Sequence, residues 1–474
     1  MKLVLGDAPL APGALAQAAR GGALEVELTR DARERMAAGH AAAEHVAARR
    51  AVYGRTTGVG ANRHVDVTGD LAGHALRLLR SHAGGVGVPL PADVVRATVL
   101  VRLAQMAAGG GSRPEVALAL ADMLSAERMP TVRDLGGLGT GDLTVLAQIG
   151  LALAGEGEEG GPARLEVGPG DALPLMSSNA ATFATAALVL ADMWDLLEAG
   201  LGVGALSFHA LRGNREAFAD AVAEARPLPG ITLVSSRLRA LTVGCEPPAR
   251  RQDPFGLRCL PPVASALVWA LAGLQDVLGV EINAAAENPL FAGGEALHNG
   301  GFHAASCALA LDGARLAMVP FGSLAGARLS HLMAPDLTGL RPFLAADASG
   351  SSGLMIAEYL AGDALARLRT GATPAVLGSV SISRGLEEHA SFAWQSAGHA
   401  RRAVPLLRTV LALEWVAAER ALRLRDVPVT GPLAPARDLA AGFDDRLEDR
   451  PLGGDAALAE AALPSLAELV RSVS

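Results

Sequence analysis

Residues 180–205 read AATFATAALVLADMWDLLEAGLGVGA, a run of alanine, leucine and valine without proline. Alanine and leucine have high helix propensities, and a run of this length without a strong helix breaker predicts one long helix. Similar stretches follow at about 262–282, 303–333, 352–370 and 391–424. The sequence therefore predicts a mainly α-helical protein built around long helices of roughly four to eight turns.

The chain before this first stretch has a different pattern, with shorter segments and glycine-rich loops. One such loop covers residues 53–60 and another covers residues 136–141. Clusters of glycine between periodic segments are typical of loops. We expect two regions, in which residues 1–200 carry both loops and residues 201–474 form a long central helix bundle and the C-terminal helices.

The charge and hydropathy of the chain exclude several classes of protein. The chain has 474 residues, is 50% apolar and carries a formal net charge of −8. It has no basic block, so we expect no nucleic-acid partner. The only lysine is Lys2, which excludes a Schiff-base lysine inside the fold. The apolar stretch at 263–280 contains Gln275 and Asp276, so we interpret it as a buried helix and expect no membrane span.

The cysteines and histidines give no sign of a metal site. Cys245, Cys259 and Cys307 form a sparse, odd-numbered set without a CxxC spacing, which argues for a reducing compartment and against a disulfide scaffold. His40 and His45 are five positions apart on a predicted helix, so they do not share a face as a helical zinc pair would. We therefore expect a cytoplasmic protein that binds no metal.

Several short motifs occur in a fixed order along most of the chain. A glycine-rich loop alone is usually only a turn, but the order and spacing of the whole series are informative. The motifs are YGRTTGVG at 53–60, SHAGGVG at 81–87, GDLTVLA at 141–147, GEG at 155–157, RQDPFGLRC at 251–259, ENPL at 287–290, FH at 302–303, SGLMIA at 352–357 and LEEH at 386–389. This series resembles the histidine/phenylalanine (aromatic amino acid) ammonia-lyase family, in its histidine-ammonia-lyase-like form.

The resemblance implies a fold and an assembly. The fold is that of the ammonia-lyase/fumarase-like superfamily, with an N-terminal catalytic-loop region followed by a bundle of long helices. The assembly is a homotetramer in which each active site is built from three chains. The substrate that the family implies is a small molecule with a carboxylate.

The cofactor of the family is an electrophile, because the β-hydrogen of an amino acid is too weakly acidic for an ordinary side-chain base. This electrophile, methylidene-imidazolone, forms when an Ala-Ser-Gly triad cyclises and loses two waters. The aligned residues here are Gly139, Thr140 and Gly141. A threonine keeps the β-hydroxyl, but its methyl would crowd the electrophilic carbon and donate electron density to it. We expect no ring and no cofactor, with Thr140 as a turn residue; a threonine-derived ring is the alternative.

Two further positions depart from the family pattern. Phe255 replaces the tyrosine of the family's RQDPY motif, which removes a hydroxyl group from the expected substrate site. Ser177 aligns with an asparagine that, in the family, contacts the cofactor and the substrate carboxylate. Asn179 lies two residues further on and is the alternative source of that amide. Like Thr140, the changes at Phe255 and Ser177 argue against an ordinary ammonia-lyase site.

Four polar residues match the catalytic positions of the family. Tyr53 aligns with the loop tyrosine that is the proposed base, although a phenol with a pKa near about 10 needs a nearby cation or helix terminus to act at neutral pH. Arg258 aligns with the arginine that binds the substrate carboxylate, and a guanidinium suits such a bidentate contact. His82 and Glu387 align with the histidine-type members, and a glutamate suits an amino or imidazole group. The structural alternatives are that Tyr53 packs on the surface, that Arg258 forms an interhelix salt bridge and that His82 is a core histidine.

The remaining expected substrate contacts are less specific. The resemblance places Gln252 and Asn288 beside the substrate, together with Ser177 and Phe255, and implies that Gln252 orients the substrate or its loop. The sequence names neither the substrate nor the reaction.

These residues support one function and two alternatives. The first is an enzyme that has lost the cofactor and uses Tyr53 for proton transfer in an elimination, isomerisation or cyclisation of a substrate held by Arg258. The second is a true histidine or aromatic amino acid ammonia-lyase with a threonine-derived cofactor. The third is a non-catalytic binding or scaffold protein. The retained polar residues favour the first two, and Thr140, Phe255 and Ser177 disfavour the second.

Overall fold

The computed structural model of the chain describes residues 1–159, 164–346 and 350–473, and these residues are mainly α-helical, as the sequence predicts. The helices are α1 (Pro12–Arg20), α2 (Arg30–Ala47), α3 (Leu71–His82), α4 (Ala92–Ala108), α5 (Pro114–Ser125), α6 (Leu143–Leu153), α7 (Ala172–Met176), α8 (Ala180–Ala210), α9 (Asp220–Ala225), α10 (Ile231–Leu241), α11 (Phe255–Arg258), α12 (Leu260–Glu281), α13 (Ala305–Leu332), α14 (Pro335–Thr338), α15 (Met355–Gly371), α16 (Ala393–Leu424), α17 (Pro435–Leu439) and α18 (Gly453–Ser472). Short 3-10 turns lie at Gly60–Asn62, Arg215–Phe218, Pro342–Leu344, Ala375–Leu377, Ser383–Gly385 and Gly431–Leu433.

The strands of the described residues form two-stranded pairs. They are β1 (Lys2–Leu5), β2 (Glu25–Leu28), β3 (Val86–Pro89), β4 (Arg133–Leu135), β5 (Leu290–Ala292) and β6 (Glu295–Leu297). β1 and β2 are parallel, with Lys2 opposite Glu25. β3 and β4 are antiparallel, with Val86 opposite Leu135, and this pair joins the end of α3 to the second glycine-rich loop. β5 and β6 form an antiparallel hairpin with Leu290 opposite Leu297.

All five long apolar stretches are helices. α8 has 31 residues, α12 has 22, α13 has 28, α15 has 17 and α16 has 32. α13 and α16 continue past Pro320 and Pro405, although proline normally disfavours a helix interior. Packing of the apolar faces therefore outweighs local propensity at these two positions.

The chain divides into two compact units that are each discontinuous in sequence. Unit 1 consists of Met1–Ala191, Leu274–Asp312 and Pro374–Gly398. Unit 2 consists of Asp192–Gly273, Gly313–Thr373 and His399–Ser474. The first segment of unit 1 ends close to the predicted boundary at residue 200, and two later segments return to it.

Each unit has its own buried core. In unit 1, α4 is buried almost throughout, with Ala97, Leu100 and Leu103 fully enclosed. In unit 2, Arg328 and Glu414 form an ion pair with no solvent exposure, with distances of 2.6 Å from Nε to Oε1 and 2.8 Å from Nη2 to Oε2. Removing one partner of such a pair leaves an uncompensated buried charge, which destabilises a fold by about 3–5 kcal/mol.

Among the described residues, three apolar segments are long enough to cross a membrane by length and composition, and their burial differs. They are Ala172–Ala210, Leu260–Glu281 and Ala305–Leu332, of which 78%, 39% and 50% of the most apolar window is buried. The expectation that the stretch at 263–280 is a buried helix is therefore met only in part, since Trp269 is 64% exposed and Val280 is 68% exposed. Both side chains are available for contact with another chain.

Candidate functional site

Unit 1 contains a cleft of about 970 Å³ that brings together most of the predicted site residues. They come from the Tyr53 loop, the end of α3, the Thr140 loop, the end of α7 and the segments around residues 288 and 387. The predicted residues that line the cleft are Tyr53, His82, Thr140, Gly141, Ser177, Asn288 and Glu387.

Tyr53 lies half-buried at the start of its loop, with its hydroxyl inside the cleft. The N–H of Gly60 donates a hydrogen bond of 2.8 Å to this hydroxyl oxygen, and the ring of His298 meets the Tyr53 ring edge-on at 6.4 Å. Burial raises the pKa of Tyr53; the Gly60 N–H lowers it, the charge of Glu387 raises it further and Arg63 lowers it. In unit 1, Tyr53 is therefore a neutral phenol at pH 7, and use as a base needs a further positive group or a proton acceptor.

His82 is the last residue of α3 and faces the cleft instead of the core. Its Nδ1 lies 2.8 Å from the carbonyl oxygen of Leu78, one helical turn earlier. A carbonyl oxygen can only accept a hydrogen bond, so Nδ1 of His82 carries a hydrogen and donates a hydrogen bond to the Leu78 carbonyl oxygen. The other ring nitrogen, Nε2, remains available to the cleft, and the alternative of a core histidine does not apply.

Gly139 and Gly141, on either side of Thr140, fix the backbone conformation of the Thr140 loop. Gly139 and Gly141 have φ values of +75° and +101°, which favour glycine. The carbonyl oxygen of Gly139 accepts hydrogen bonds from the Ser391 hydroxyl at 2.6 Å and the Ala304 N–H at 3.4 Å. A Cβ atom on Gly139 would lie 2.2 Å from Ser391 Oγ, so the alanine of the family triad does not fit this backbone.

Asn179 supports this loop and does not replace the missing asparagine in the cleft. Its side-chain oxygen accepts the N–H of Gly141 at 2.9 Å, and its side-chain nitrogen donates to the carbonyl of Phe302. Asn179 is 2% exposed and does not line the cleft. Ser177 does line it and accepts a hydrogen bond of 3.3 Å from the N–H of Asn288.

Asp142 is a second support of the loop that the motif contains but that our sequence analysis did not single out. Its carboxylate is fully buried and accepts hydrogen bonds from Thr182, at 2.7 Å from the N–H and 3.0 Å from the hydroxyl. Burial raises the pKa of Asp142 to about 6. The GDL sequence at residues 141–143 was the available signal for this residue.

Glu387 is placed beside the Tyr53 loop by a tight turn. The backbone of Ile382 and Glu387 forms an isolated bridge, with the Ile382 N–H 3.0 Å from the Glu387 carbonyl. Ser383, inside this turn, accepts a hydrogen bond of 3.0 Å from the N–H of Ala61. A Cβ atom on Gly60 would lie 3.5 Å from Glu387 Oε1, so the carboxylate of Glu387 reaches the loop that holds the Tyr53 hydroxyl.

The cleft also contains four histidines to which the sequence analysis gave no catalytic role. His303 ends the FH motif and His389 ends the LEEH motif, whereas His64 and His298 lie outside the motifs. All four line the cleft. Among the described residues, no group of three or more histidine, cysteine, aspartate or glutamate side chains is arranged to hold a metal ion.

Arg258 and Gln252 line a separate cavity of about 450 Å³ in unit 2. Arg258 Nε donates a hydrogen bond of 2.9 Å to the carbonyl of Asp253, and its guanidinium carbon lies 4.5 Å from the centre of the Phe255 ring. Within the described part of the chain Arg258 forms no ion pair, so the alternative of an interhelix salt bridge does not apply. Its two terminal nitrogens remain available for a carboxylate.

Comparisons with known proteins identify one family and one fold. The family model for aromatic amino acid lyases matches residues 10–441. The chain is similar to the histidine ammonia-lyase of Streptomyces coelicolor, with 33% identity over 97% of this chain and 96% of that protein. It is similar to the structure of histidine ammonia-lyase from Trypanosoma cruzi, with 25% identity, a TM-score of 0.90 and coverage of 100% and 96%. It is also similar to tyrosine aminomutase from Streptomyces globisporus, with 26% identity, a TM-score of 0.91 and coverage of 100% and 98%. These matches confirm the predicted ammonia-lyase/fumarase-like fold.

Proposed function

Because the chain belongs to the aromatic amino acid lyase family and is a carbon–nitrogen lyase, we propose that it works without methylidene-imidazolone, by proton transfer that Tyr53 assists. Its substrate is a small amino-acid-like molecule whose carboxylate binds Arg258. The reaction is an elimination, an isomerisation or a cyclisation. Relatives named histidine ammonia-lyase and tyrosine aminomutase support an amino-acid-like substrate.

The observation that carries this proposal is that Thr140 lines the same cleft as Tyr53, His82 and Glu387. The polar groups that handle a substrate are retained, whereas the residue that would supply the electrophile is changed. Without an electrophile the β-hydrogen of an ordinary amino acid stays too weakly acidic for a phenol to remove. The substrate must therefore have a more acidic hydrogen or a nitrogen that leaves more readily than ammonia.

The residues at positions 139–141 do not fit the ring of the family. The β-carbon of Thr140 carries a methyl, and the neighbouring asparagine amide is replaced by Ser177. Asn179, the nearest other amide, is held between Gly141 and Phe302. For these reasons no step is assigned to such a ring.

One set of contacts favours the alternative of a threonine-derived ring. Ring closure would join the Gly141 nitrogen to the carbonyl carbon of Gly139. The Gly141 N–H is held by Asn179, and the Gly139 carbonyl is polarised by the Ser391 hydroxyl at 2.6 Å. The mass of the intact protein separates the two functions, because closure removes two waters from the chain.

Each polar side chain of the site has a separate role toward the substrate. The Tyr53 hydroxyl contacts the hydrogen that the substrate loses, and the adjacent Gly60 N–H holds that hydroxyl in place. Glu387 binds the amino or imidazole group of the substrate, and Nε2 of His82 is available for a hydrogen bond with the substrate. Arg258 binds the carboxylate, with its guanidinium oriented by Phe255 and the Asp253 carbonyl.

The same proposal includes a cytoplasmic homotetramer with no nucleic-acid or membrane partner. Exposed apolar side chains support the assembly, since Ile356, Tyr359 and Leu360 share one face of α15 and are 51%, 70% and 42% exposed. Large apolar side chains grouped on a surface are typical of protein interfaces. In this assembly Arg258 of one chain binds the carboxylate of the substrate that lies in the Tyr53 cleft of another chain.

A substrate screen tests the function. The purified protein is incubated with histidine, tyrosine, phenylalanine and the Nα-trimethyl derivative of each, and products are followed by absorbance and mass spectrometry. We expect no ammonia from the free amino acids and conversion of at least one compound with a better leaving group. Tyr53→Phe should abolish that conversion, and Tyr359→Phe, at the only other tyrosine, should not. Steady release of ammonia from histidine would contradict the proposal.

A further inference from the structure

Two histidines from separate segments of unit 1 share a hydrogen bond in the cleft. His303 Nε2 lies 2.9 Å from His389 Nδ1, and the rings stack with centroids 5.0 Å apart and planes inclined by 27°. Both rings line the cleft that contains Thr140. One of the two facing nitrogens must donate and the other accept, because two N–H groups cannot bond to each other. In this arrangement at least one of these nitrogens is unprotonated.

Each histidine lies within two residues of a group that donates a hydrogen bond to the Gly139 carbonyl oxygen in the Thr140 loop. Ala304, next to His303, donates its N–H to the Gly139 carbonyl oxygen at 3.4 Å. Ser391, two residues after His389, donates its hydroxyl to the same oxygen at 2.6 Å. The pair is therefore fixed next to the loop where the family has its cofactor.

We propose that His303 and His389 form a one-proton pair that accepts the proton released by the substrate. The identity of that substrate rests on the proposed function, whereas the titration of the pair does not. In an elimination the C–H bond breaks and its electrons form the carbon–carbon double bond. The C–N electron pair leaves with the neutral amine, and the proton passes to the pair, which changes from neutral to singly cationic.

The position of His389 gives the proton a way out of the cleft. His389 is exposed, whereas His303 is partly buried. A proton accepted on the pair can pass through the shared hydrogen bond to the outer ring and from there to water. The pair then returns to its neutral form for the next substrate.

An acceptor that titrates near neutral pH complements Tyr53. Burial and Glu387 raise the pKa of Tyr53, so at pH 7 its hydroxyl already carries a proton and cannot itself take up the proton of the substrate. The pKa of histidine is ordinarily about 6.5. Burial lowers the pKa of His303, and the neighbouring His389 lowers it further. The ring of His303 is therefore neutral, and able to accept one proton, at pH 7.

Other charged groups of the cleft act on the pair in both directions. They are Arg63, His64, His82, His298, Glu387 and Glu388, with Asp142 buried under the Thr140 loop. The carboxylates favour a positive charge on the pair, and Arg63 opposes it. Because groups this close titrate together, proton uptake by the pair belongs to both rings and not to either ring alone.

Solid-state NMR of the whole protein with ¹⁵N-labelled histidine tests the pair without any substrate. The two rings are assigned from the His303→Asn and His389→Asn variants, and spectra are recorded from about pH 5 to 9. We expect a single step in which the two rings together take up one proton. Two independent steps, with both rings fully protonated at the acid end, would overturn the pair whatever the activity.

Kinetics on a compound converted in the substrate screen tests the acceptor role. His389→Asn should lower kcat at neutral pH at least tenfold and remove the acid limb of its pH profile, because the acceptor must be unprotonated. His45→Asn, exposed on α2, is the matched control and should change neither. An unchanged kcat and profile in His389→Asn would overturn the role. If the wild type converts nothing, the proposed function fails, and the NMR titration alone decides for or against the pair.

Discussion

The guanidinium of Arg258 lies over the ring of Phe255, with 4.5 Å between the guanidinium carbon and the ring centre. The ring is 64% exposed, so the two side chains form a small platform at the surface of unit 2. A cation over an aromatic face is stabilised by about 0.5–1 kcal/mol at an exposed site. The replacement of the family's tyrosine by Phe255 removes a hydroxyl but keeps the face that holds the guanidinium. This arrangement leaves the terminal nitrogens of Arg258 free for a carboxylate.

Arg258→Met should weaken the binding of a product-like carboxylate, with urocanate as the probe. In the proposed assembly another chain covers Arg258, and the loss of one partner of a charge pair buried in this way costs about 2–5 kcal/mol. Isothermal titration calorimetry measures it, with Arg30→Met on the exposed surface of α2 as the control. Equal affinities of the wild type and Arg258→Met would reject the carboxylate role.

Gly139→Ala should destabilise the Thr140 loop. The new Cβ atom would lie 2.2 Å from Ser391 Oγ and 2.6 Å from the backbone nitrogen of Ala393, at a φ of +75°. The combined steric and backbone strain is roughly 1–3 kcal/mol in the free energy of unfolding. Denaturant unfolding measures this change. Gly84→Ala, where a Cβ meets nothing within 4 Å, should have little effect; equal stability of the two variants would contradict the described loop.

Local sequence pattern predicted the helices but not the way in which the chain divides. The five apolar stretches are visible because each lies within one continuous run of residues. The segments Leu274–Asp312 and Pro374–Gly398 return to unit 1 through contacts between distant parts of the chain. No periodicity in the sequence records such contacts, so the boundary expected at residue 200 could not anticipate them.

The candidate site shows the same difference between what a local motif predicts and what only contacts between distant residues determine. Motifs located Tyr53, His82 and Glu387, because each lies in a short recognisable run. The contact between His303 and His389 joins residues 86 positions apart, and only the fold brings them together. Asn179 illustrates a different limit, because the sequence places an amide near the expected position but does not show that it points at Gly141.

Stability should fall as the pH rises from about 4 to 6 because of Asp142. Burial raises the pKa of this carboxyl to about 6 in the folded protein, against an unfolded value of 3.8. Between these values the native state holds more protons than the unfolded state, so each increase in pH favours unfolding. The contribution is on the order of 3 kcal/mol. Asp142→Asn should flatten this part of the stability curve in denaturant titrations.

The exposed Asp122→Asn variant is the control for that experiment and should keep the wild-type slope. Asparagine retains an acceptor for Thr182, so Asp142→Asn should remain folded. If the slopes of the wild type and Asp142→Asn are the same between about pH 4 and 6, Asp142 is not the group responsible.

Light scattering should give a tetramer, and the apolar surface of α15 should be needed for it. Tyr359 and Leu360 are 70% and 42% exposed on this helix. Replacing both by glutamate should shift the protein to smaller species at micromolar concentration, because charges would be buried in the interface. Leu458→Glu, at a leucine of α18 that is 48% exposed, is the control and should remain tetrameric. A wild type that is already monomeric would refute the assembly.

The mass of the intact protein should equal the mass of its sequence, without the loss of two waters at residues 139–141. The methyl of Thr140 is the proposed reason, so Thr140→Ser is the informative variant. The supports of the loop remain in that variant, with Ser391 bound to the Gly139 carbonyl at 2.6 Å and Asn179 bound to the Gly141 N–H at 2.9 Å. If the environment still promotes ring closure, Thr140→Ser should lose two waters, and adding Ser177→Asn should increase the fraction that does. Peptide mapping by mass spectrometry locates the change, and a loss of two waters in the wild type would show that threonine itself forms the ring.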